Sequence, residues 1–152
     1  MRARALATAN RFLGPLRRTL DTLAPLGDLI LRLYVANVFW RAGLVKIQSW
    51  EPTVLLFTYE YQVPLLPPEL AAMLASFIEL GFPVLLVLGL AGRFAAFVLF
   101  VFNITAVLFY PGLNEVGREQ HLVWGILLLM PLLHGTGRLS LDHLIGRRWL
   151  RT

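Results

Sequence analysis

The residues with the most chemical potential lie on one face of a single apolar stretch, residues 32–47. On a helix with about 100° per residue, six positions form one narrow stripe. They are Asp28, Arg32, Ala36, Phe39, Gly43 and Lys46. Small residues let a neighbouring helix approach, and charges in an apolar helix must face protein or water rather than lipid. The stripe is therefore predicted to point into a helical bundle, with the chemistry of the protein along it.

A layer of polar residues from three apolar stretches is predicted at similar depth. With a rise of about 1.5 Å per residue, Arg32 lies roughly 12 Å from the inner end of its stretch, and Glu79 and Asn103 lie roughly 15 Å from theirs. A lone charge at that depth is costly, which predicts an Arg32–Glu79 ion pair, with Asn103 as a hydrogen-bonding third member and Asp28 as a second partner for Arg32. Two interpretations stay open: a clasp that fixes helix docking, or the polar floor of a ligand pocket.

A second polar layer is predicted near the outer surface. Lys46 points along the stripe, and Glu119 and His121 begin the last apolar stretch, so these three side chains are expected to frame the mouth of a cavity. His121 is the residue type that exchanges protons near neutral pH. Ordinary anchoring in the membrane interface is the alternative for this layer.

Metal and thiol chemistry are disfavoured. The chain has no cysteine. His121 and His134 are about 20 Å apart along a helix, so they cannot share one ion there. No glycine-rich phosphate loop and no credible Ser-His-Asp arrangement is present. The sequence therefore predicts no metal site.

The elements that hold these residues are apolar helices. Of the 152 residues, 57% are hydrophobic and 15% are charged, against roughly 25% charged in soluble domains. Four apolar runs, near 24–47, 68–90, 93–110 and 119–135, approach the roughly 20 residues that cross a bilayer. The sequence predicts an all-α fold: an integral membrane four-helix bundle with an N-terminal amphipathic surface helix.

The placement of charge argues for a membrane and against nucleic acid, despite the net charge of +5. Arginines cluster before the first span and after the last, whereas carboxylates dominate the loops after the first and third spans. Because cytoplasmic flanks carry the excess of Lys and Arg, both termini are predicted to be cytoplasmic.

The chain is divided into three parts. Residues 1–22 are predicted to form a basic amphipathic surface helix interrupted at Gly14–Pro15, with an organelle transit peptide as the alternative. Residues 23–137 form the membrane domain, and residues 138–152 a basic cytoplasmic tail with a second surface helix starting near Ser140. The aromatic loop 48–67 is expected either to cap the bundle, as a short helix, or to anchor it in the headgroup layer.

Several motifs together resemble the DoxX family over roughly residues 26–145. They are Arg32-Leu33 followed by Phe39, Gly43 and Lys46; Glu79-Leu80-Gly81; Leu88-Gly89-Leu90 followed by Arg93; and the closing Gly137-Arg138-Leu139-Ser140-Leu141-Asp142. The chain departs from the family pattern at Ala36-Asn37, in its N-terminal extension and in its Trp- and Tyr-rich first loop. The resemblance implies a multi-pass protein of the bacterial inner membrane. It also implies kinship with the DoxD subunit of thiosulfate:quinone oxidoreductase, and a separate oxidoreductase or biosynthetic protein as partner.

Three functions are consistent with these residues. The first is a redox membrane subunit that binds quinone, with donors from Arg32 or Lys46 and protons carried by Glu79 or His121. Phe39, Tyr34 or Trp124 would line the slot. The chain shows no redox centre of its own, so electrons must come from a bound cofactor or a partner. The alternatives are a non-catalytic membrane anchor for a partner enzyme and a small-solute carrier built as a homo-oligomer.

Overall fold

The computed structural model describes the backbone of residues 2–61 and 63–149, and the side chains of residues 13–61 and 63–148. This described part contains six helices and no strand, which confirms the all-α prediction. The helices are α1 (Arg2–Gln48), α2 (Trp50–Tyr59), α3 (Pro68–Leu88), α4 (Gly92–Leu108), α5 (Glu115–His134) and α6 (Leu141–Trp149).

The first helix is continuous, so the predicted interruption at Gly14–Pro15 is wrong. α1 spans 47 residues and carries Pro15 and Pro25 in its interior. An isolated proline removes one backbone donor and kinks a helix, but it need not end one when good helix formers flank it. The side chains of Arg4, Leu6 and Arg11, on which the amphipathic pattern rests, lie outside the described side chains, as do residues 150–152 of the tail.

Local signals in the sequence set the ends of the other helices. Pro68 opens α3 at a position where the missing N–H costs nothing, and Gly89 closes it in the left-handed conformation with φ 64°. The Asn114 side chain caps α5 by accepting a hydrogen bond of 2.7 Å from the Gly117 N–H. The aromatic loop contains the short helix α2, whose Phe57 packs on the alanines of α3.

Four helices, α1, α3, α4 and α5, meet at one core. Its buried residues are Val35, Ala36, Phe39, Leu86, Ala95, Ala96, Leu99 and Leu128. α1 packs on α3, α3 on α4, α4 on α5, and α5 returns to α1. The alanines of this core allow the close helix contacts that the stripe of small residues predicts.

The outer surface of these helices is apolar. Exposed side chains include Phe77, Phe97, Leu122 and Leu133. The stretches Leu13–Gln48 and Pro68–Leu88 are long and apolar enough to cross a membrane. In the most apolar 18 residues of each stretch, however, only 22% and 39% of the segment is buried. Interior helices of a soluble protein would be mostly buried, so the structure supports a helical membrane protein.

Candidate functional site

The buried carboxylate of α3 pairs with Lys46, not with Arg32 as predicted. Lys46 Nζ lies 2.8 Å from Glu79 Oε1 and 2.7 Å from Glu79 Oε2. The prediction is wrong because it counts the depth of Arg32 from a span that begins near residue 24. α1 in fact continues past the end of α3, so Arg32 lies at the end of α3 and not in the middle of the bundle. α1 and α3 are antiparallel, and Arg32 therefore meets the C-terminal end of α3 while Lys46 meets its middle.

Arg32 is buried among backbone carbonyls. Its side chain, 1% exposed, donates to the carbonyls of Leu86 at 3.2 Å, Val87 at 3.1 Å and Leu139 at 2.5 Å. The last carbonyls of a helix have no partner within it and carry its negative dipole end. Arg32 thus ties the end of α3 to the segment after α5, which is a clasp. Within the described residues no ion pair joins it to Asp28, whose backbone carbonyl alone accepts from Arg32 Nε.

Asn103 holds a histidine instead of joining Arg32, which is a second correction to the predicted layer. Asn103 Nδ2 donates to the backbone carbonyl of His121 at 2.8 Å, and Asn103 Oδ1 lies 2.8 Å from His121 Nδ1. The carbonyl can only accept, so it fixes the orientation of the amide, and Oδ1 must then accept from Nδ1. His121 therefore carries its proton on Nδ1, which leaves Nε2 as an acceptor.

A cavity of about 260 Å³ lies beside the ion pair, between α1, α2, α3, α4 and α5. Lys46, Glu79 and His121 bring an ammonium, a carboxylate and an imidazole to its lining. The walls are largely aromatic, with Phe39, Phe57, Tyr61, Phe102, Phe109, Tyr110 and Trp124. Phe39 and Trp124 pack edge to face with ring centroids 6.3 Å apart, a favourable geometry for aromatic pairs. The result is an apolar slot with a few convergent polar groups.

The structure brings together four of the six residues predicted as a site. Phe39, Lys46, Glu79 and His121 all line the cavity. Asn103 lies behind His121 and orients it, while Arg32 lies outside the cavity at the end of α3. Glu119, predicted at the mouth, is exposed and does not line it.

The roof of the cavity is an aromatic stack that the sequence pattern does not assign to the site. Tyr61 lies with its ring centroid 4.7 Å from Phe57 and 4.7 Å from Tyr110. The Tyr110 hydroxyl donates to Glu60 Oε2 at 3.0 Å. Burial, followed by the charges of neighbouring acidic groups, raises the pKa of Tyr61 to about 12, so the phenol stays neutral at physiological pH. The density of aromatic residues in the loop 48–67 was the available signal for this roof.

The ion pair leaves hydrogen-bonding capacity unused. Glu79 Oε2 is buried and accepts no directed hydrogen bond within the described residues, although Lys46 Nζ is close. An ammonium group has three donors, and among the described residues the hydrogen bond and the ion pair of the Lys46 side chain both go to Glu79. No three side chains of the metal-ligating types converge among the described residues. The cavity therefore offers a donor, a carboxylate acceptor and an imidazole acceptor to a small ligand.

A sequence profile of DoxX matches residues 27–112, which include the ion pair, Arg32 and Asn103. The chain belongs to the DoxX family. An uncharacterized protein of Haemophilus influenzae is 32% identical over 128 residues, which cover 78% of this chain and 83% of that protein. No solved structure gives a significant match. DoxX proteins are membrane-associated, so the apolar outer surface of this DoxX protein contacts the lipid bilayer.

Proposed function

We propose that this DoxX protein is the membrane subunit of a quinone-linked oxidoreductase system and that its aromatic cavity binds the quinone. In this proposal α3, α4, α5 and the second half of α1 cross the bacterial inner membrane, with both termini in the cytoplasm. α3 has 21 residues and α5 has 20, which gives each about 30 Å of length, close to the thickness of the bilayer core. α4, with 17 residues, crosses with little tilt.

The observation that carries this proposal is the convergence of Lys46, Glu79 and His121 on one aromatic slot. At about 260 Å³, the cavity is near the lower end of ligand pockets, roughly 300 Å³, so it suits a single ring rather than a large molecule. Quinones present two carbonyl acceptors, and quinols present two hydroxyl donors. Lys46 donates to a carbonyl, whereas Glu79 Oε2 and His121 Nε2 accept from hydroxyls, so these groups fit both forms.

The residues of this chain bind and orient the ring and hold protons beside it. A quinone takes up two electrons and two protons on reduction. Glu79 and His121 are titratable groups that line the cavity, and Asn103 keeps the accepting nitrogen of His121 free. Phe57 and Tyr61 line the slot with packed rings, which add apolar surface for the bound ring. Because the chain has no cysteine, it forms no disulfide or thiolate-bound cluster, and the electron donor is a separate oxidoreductase.

The test is the quinone content of the protein purified gently from native-type membranes, measured by mass spectrometry of the organic extract. Two tryptophan substitutions form a matched pair: Trp124→Leu removes a wall of the cavity, and Trp40→Leu removes a lipid-facing side chain on α1. We expect stoichiometric quinone in the parent and in Trp40→Leu, and its loss in Trp124→Leu. Bulk phospholipid alone in all three preparations would contradict the proposal.

A second function, a non-catalytic anchor for a partner enzyme, is favoured by one feature of α1. The helix has 47 residues, about 70 Å in length, which is more than twice the length of α3. Because Arg32 already meets the end of α3, the preceding residues extend beyond the bundle and expose Leu16, Leu20 and Leu23. A co-purifying oxidoreductase without bound quinone in the extract would support this anchor over the quinone site.

A further inference from the structure

An open cavity of about 660 Å³ lies at the opposite end of the bundle from the aromatic slot. It is formed where α4 begins, where α5 ends and where the chain turns into α6. Its lining includes the basic residues Arg93, His134, Arg138 and His143. One carboxylate, that of Asp142, also belongs to the lining.

Hydrogen bonds to two other parts of the chain, and one within the segment itself, hold the segment that carries Arg138. Arg32 binds the carbonyl of Leu139, and the Asp142 N–H donates to the carbonyl of Gly89 at 2.9 Å. The Ser140 hydroxyl donates to the carbonyl of Gly137 at 2.7 Å. The walls of this cavity are therefore built by the fold and not by a free loop.

The carboxylate in the cavity is already engaged. Asp142 Oδ1 accepts from the Ala91 N–H and Asp142 Oδ2 from the Gly92 N–H, each at 2.9 Å. Asp142 thereby caps the N-terminus of α4. In the part of the chain that the structure describes, neither Arg93 nor Arg138 makes an ion pair or a side-chain hydrogen bond. Among the described residues, these two guanidinium groups thus line the cavity without an anionic partner.

Arg93 lies close over the backbone at the end of α5. A Cβ atom at Gly135 would lie 3.5 Å from Arg93 Nε, and Gly135 has φ +83°. The positive φ favours glycine at this turn, and the guanidinium lies in van der Waals reach of it. Guanidinium groups bind phosphate through paired N–H donors, with better geometry than an ammonium group gives.

An apolar stripe on α4 continues from this cavity along the bundle. Phe94 lines the cavity, and Phe94, Phe97 and Val101 are 58%, 51% and 44% exposed. Their spacing of three and four residues places them on one face of α4. A ligand with a phosphate at one end and long apolar chains at the other would match the arginines and this stripe at once.

We propose that this cavity binds the headgroup phosphate of an anionic phospholipid, with its acyl chains along Phe94, Phe97 and Val101. Anionic lipids are abundant in the cytoplasmic leaflet, where basic pockets between membrane helices bind their headgroups. The site is separate from the quinone cavity and does not depend on it.

Native mass spectrometry of the full-length protein in detergent tests this proposal. The probes are phosphatidylglycerol and phosphatidylcholine with identical acyl chains, mixed in equal amounts. Arg93→Gln/Arg138→Gln removes both guanidinium groups, and Arg41→Gln/Arg118→Gln is a control of equal charge change, since these arginines are exposed and lie outside the cavity. We expect one phosphatidylglycerol bound by the parent and the control, and roughly thirtyfold weaker binding by the Arg93/Arg138 variant.

Two further measurements separate the remaining explanations. Phosphatidylglycerol should raise the melting temperature of the parent and the control but not that of the Arg93/Arg138 variant, whose melting temperature without lipid should match the parent. Equal binding of both lipids by the parent, or an equal loss in the control variant, would overturn the site. Displacement of the lipid by millimolar inorganic phosphate would show a site for free phosphate and would overturn the lipid assignment.

Discussion

The ammonium of Lys46 lies between the two carboxylate oxygens of Glu79, with the side chains only 16% and 6% exposed. The pair joins the middle of α3 to the part of α1 that follows Gly43. In a low-dielectric interior each charge depends on the other, because a single buried charge has neither water nor a partner. Because of this mutual dependence, we expect single and double substitutions of the pair to differ in their effect on the free energy of unfolding.

We expect Lys46→Met and Glu79→Met each to lower the free energy of unfolding by about 3–5 kcal/mol, because each leaves a buried charge without a partner. The double variant should recover most of that stability, since two apolar side chains of similar length replace the pair. Thermal unfolding in detergent measures both effects. Glu69→Met is the control, because Glu69 is an exposed carboxylate in the first turn of the same helix.

The quinone content of the same variants shows whether the Lys46–Glu79 pair belongs to a quinone site or only holds α1 and α3 together. If the pair belongs to a quinone site, the double variant is stable but contains no quinone. If the pair only docks the helices, the double variant keeps the quinone content of the parent, and the role assigned to Lys46 and Glu79 fails.

Arg32→Met should destabilise the protein by about 3 kcal/mol or more, because several buried carbonyls lose a charged donor together. Arg41→Met on the same helix changes an exposed arginine and should remain within about 0.5 kcal/mol of the parent. Chemical unfolding followed by circular dichroism compares the two. Comparable stability of both variants would contradict the clasp.

The buried face of α1 was predictable from the sequence, whereas the partners of its charges were not. Ala36 is 2% exposed and Phe39 is 3% exposed, as the stripe predicts, because helical spacing alone determines which residues share a face. Arg32 and Glu79 were mispaired because a pairing depends on the relative shift of two helices along their axes. That shift follows from where each helix ends, and the extension of α1 beyond α3 has no clear signal in its composition.

The contact between Asn103 and His121 was also beyond prediction. It requires that α4 and α5 be neighbours with a particular rotation, and both properties come from packing of the alanine-rich core and not from spacing within either helix. The presence of an aromatic roof was predictable from the composition of the loop, but its position was not. Only the packing of α2 on α3 places Phe57 and Tyr61 over the cavity.

Asn103→Leu should remove the preference of His121 for the tautomer with its proton on Nδ1. In the parent, nitrogen NMR of labelled histidine should show the proton on Nδ1, where Asn103 Oδ1 accepts it. The variant should show a mixture of tautomers and a loss of about 1–3 kcal/mol in stability, because buried polar groups lose their partner. Asn37→Leu, at an exposed position of α1, should change neither. A proton on Nε2 in the parent would refute the arrangement.

Gly43→Ala should disturb the Lys46–Glu79 ion pair indirectly, through the contact between α1 and α3. A Cβ atom at Gly43 would lie 2.8 Å from Leu80 Cγ and 3.0 Å from Glu79 Cβ, so the Leu80 side chain or α3 itself must shift. We expect a loss of about 1–3 kcal/mol in stability. Gly81→Ala meets nothing within 4 Å and should instead stabilise α3 by about 0.5–1 kcal/mol through its better helix propensity. Equal effects of the two substitutions would contradict the close approach of α1 and α3.

Tyr61 should be the tyrosine that ionises at the highest pH. Burial is the largest cause that raises its pKa to about 12, and the charges of Tyr110, Glu79 and Glu60 add to it. Because the folded pKa lies above the ordinary value of about 10, the fold favours the neutral phenol. Its contribution to stability is therefore complete below pH 10 and is lost as the pH rises through about 12.

An alkaline titration of tyrosinate absorbance, with circular dichroism recorded in parallel, checks this order. Tyr61→Phe should remove the last step of the titration, because the remaining tyrosines lack its buried position in the roof. Tyr59→Phe alters a side chain that is 79% exposed and should leave the last step in place. If the last step survives in Tyr61→Phe while the helices remain folded, Tyr61 does not lie buried between Phe57 and Tyr110 in the roof, and the aromatic stack would be contradicted.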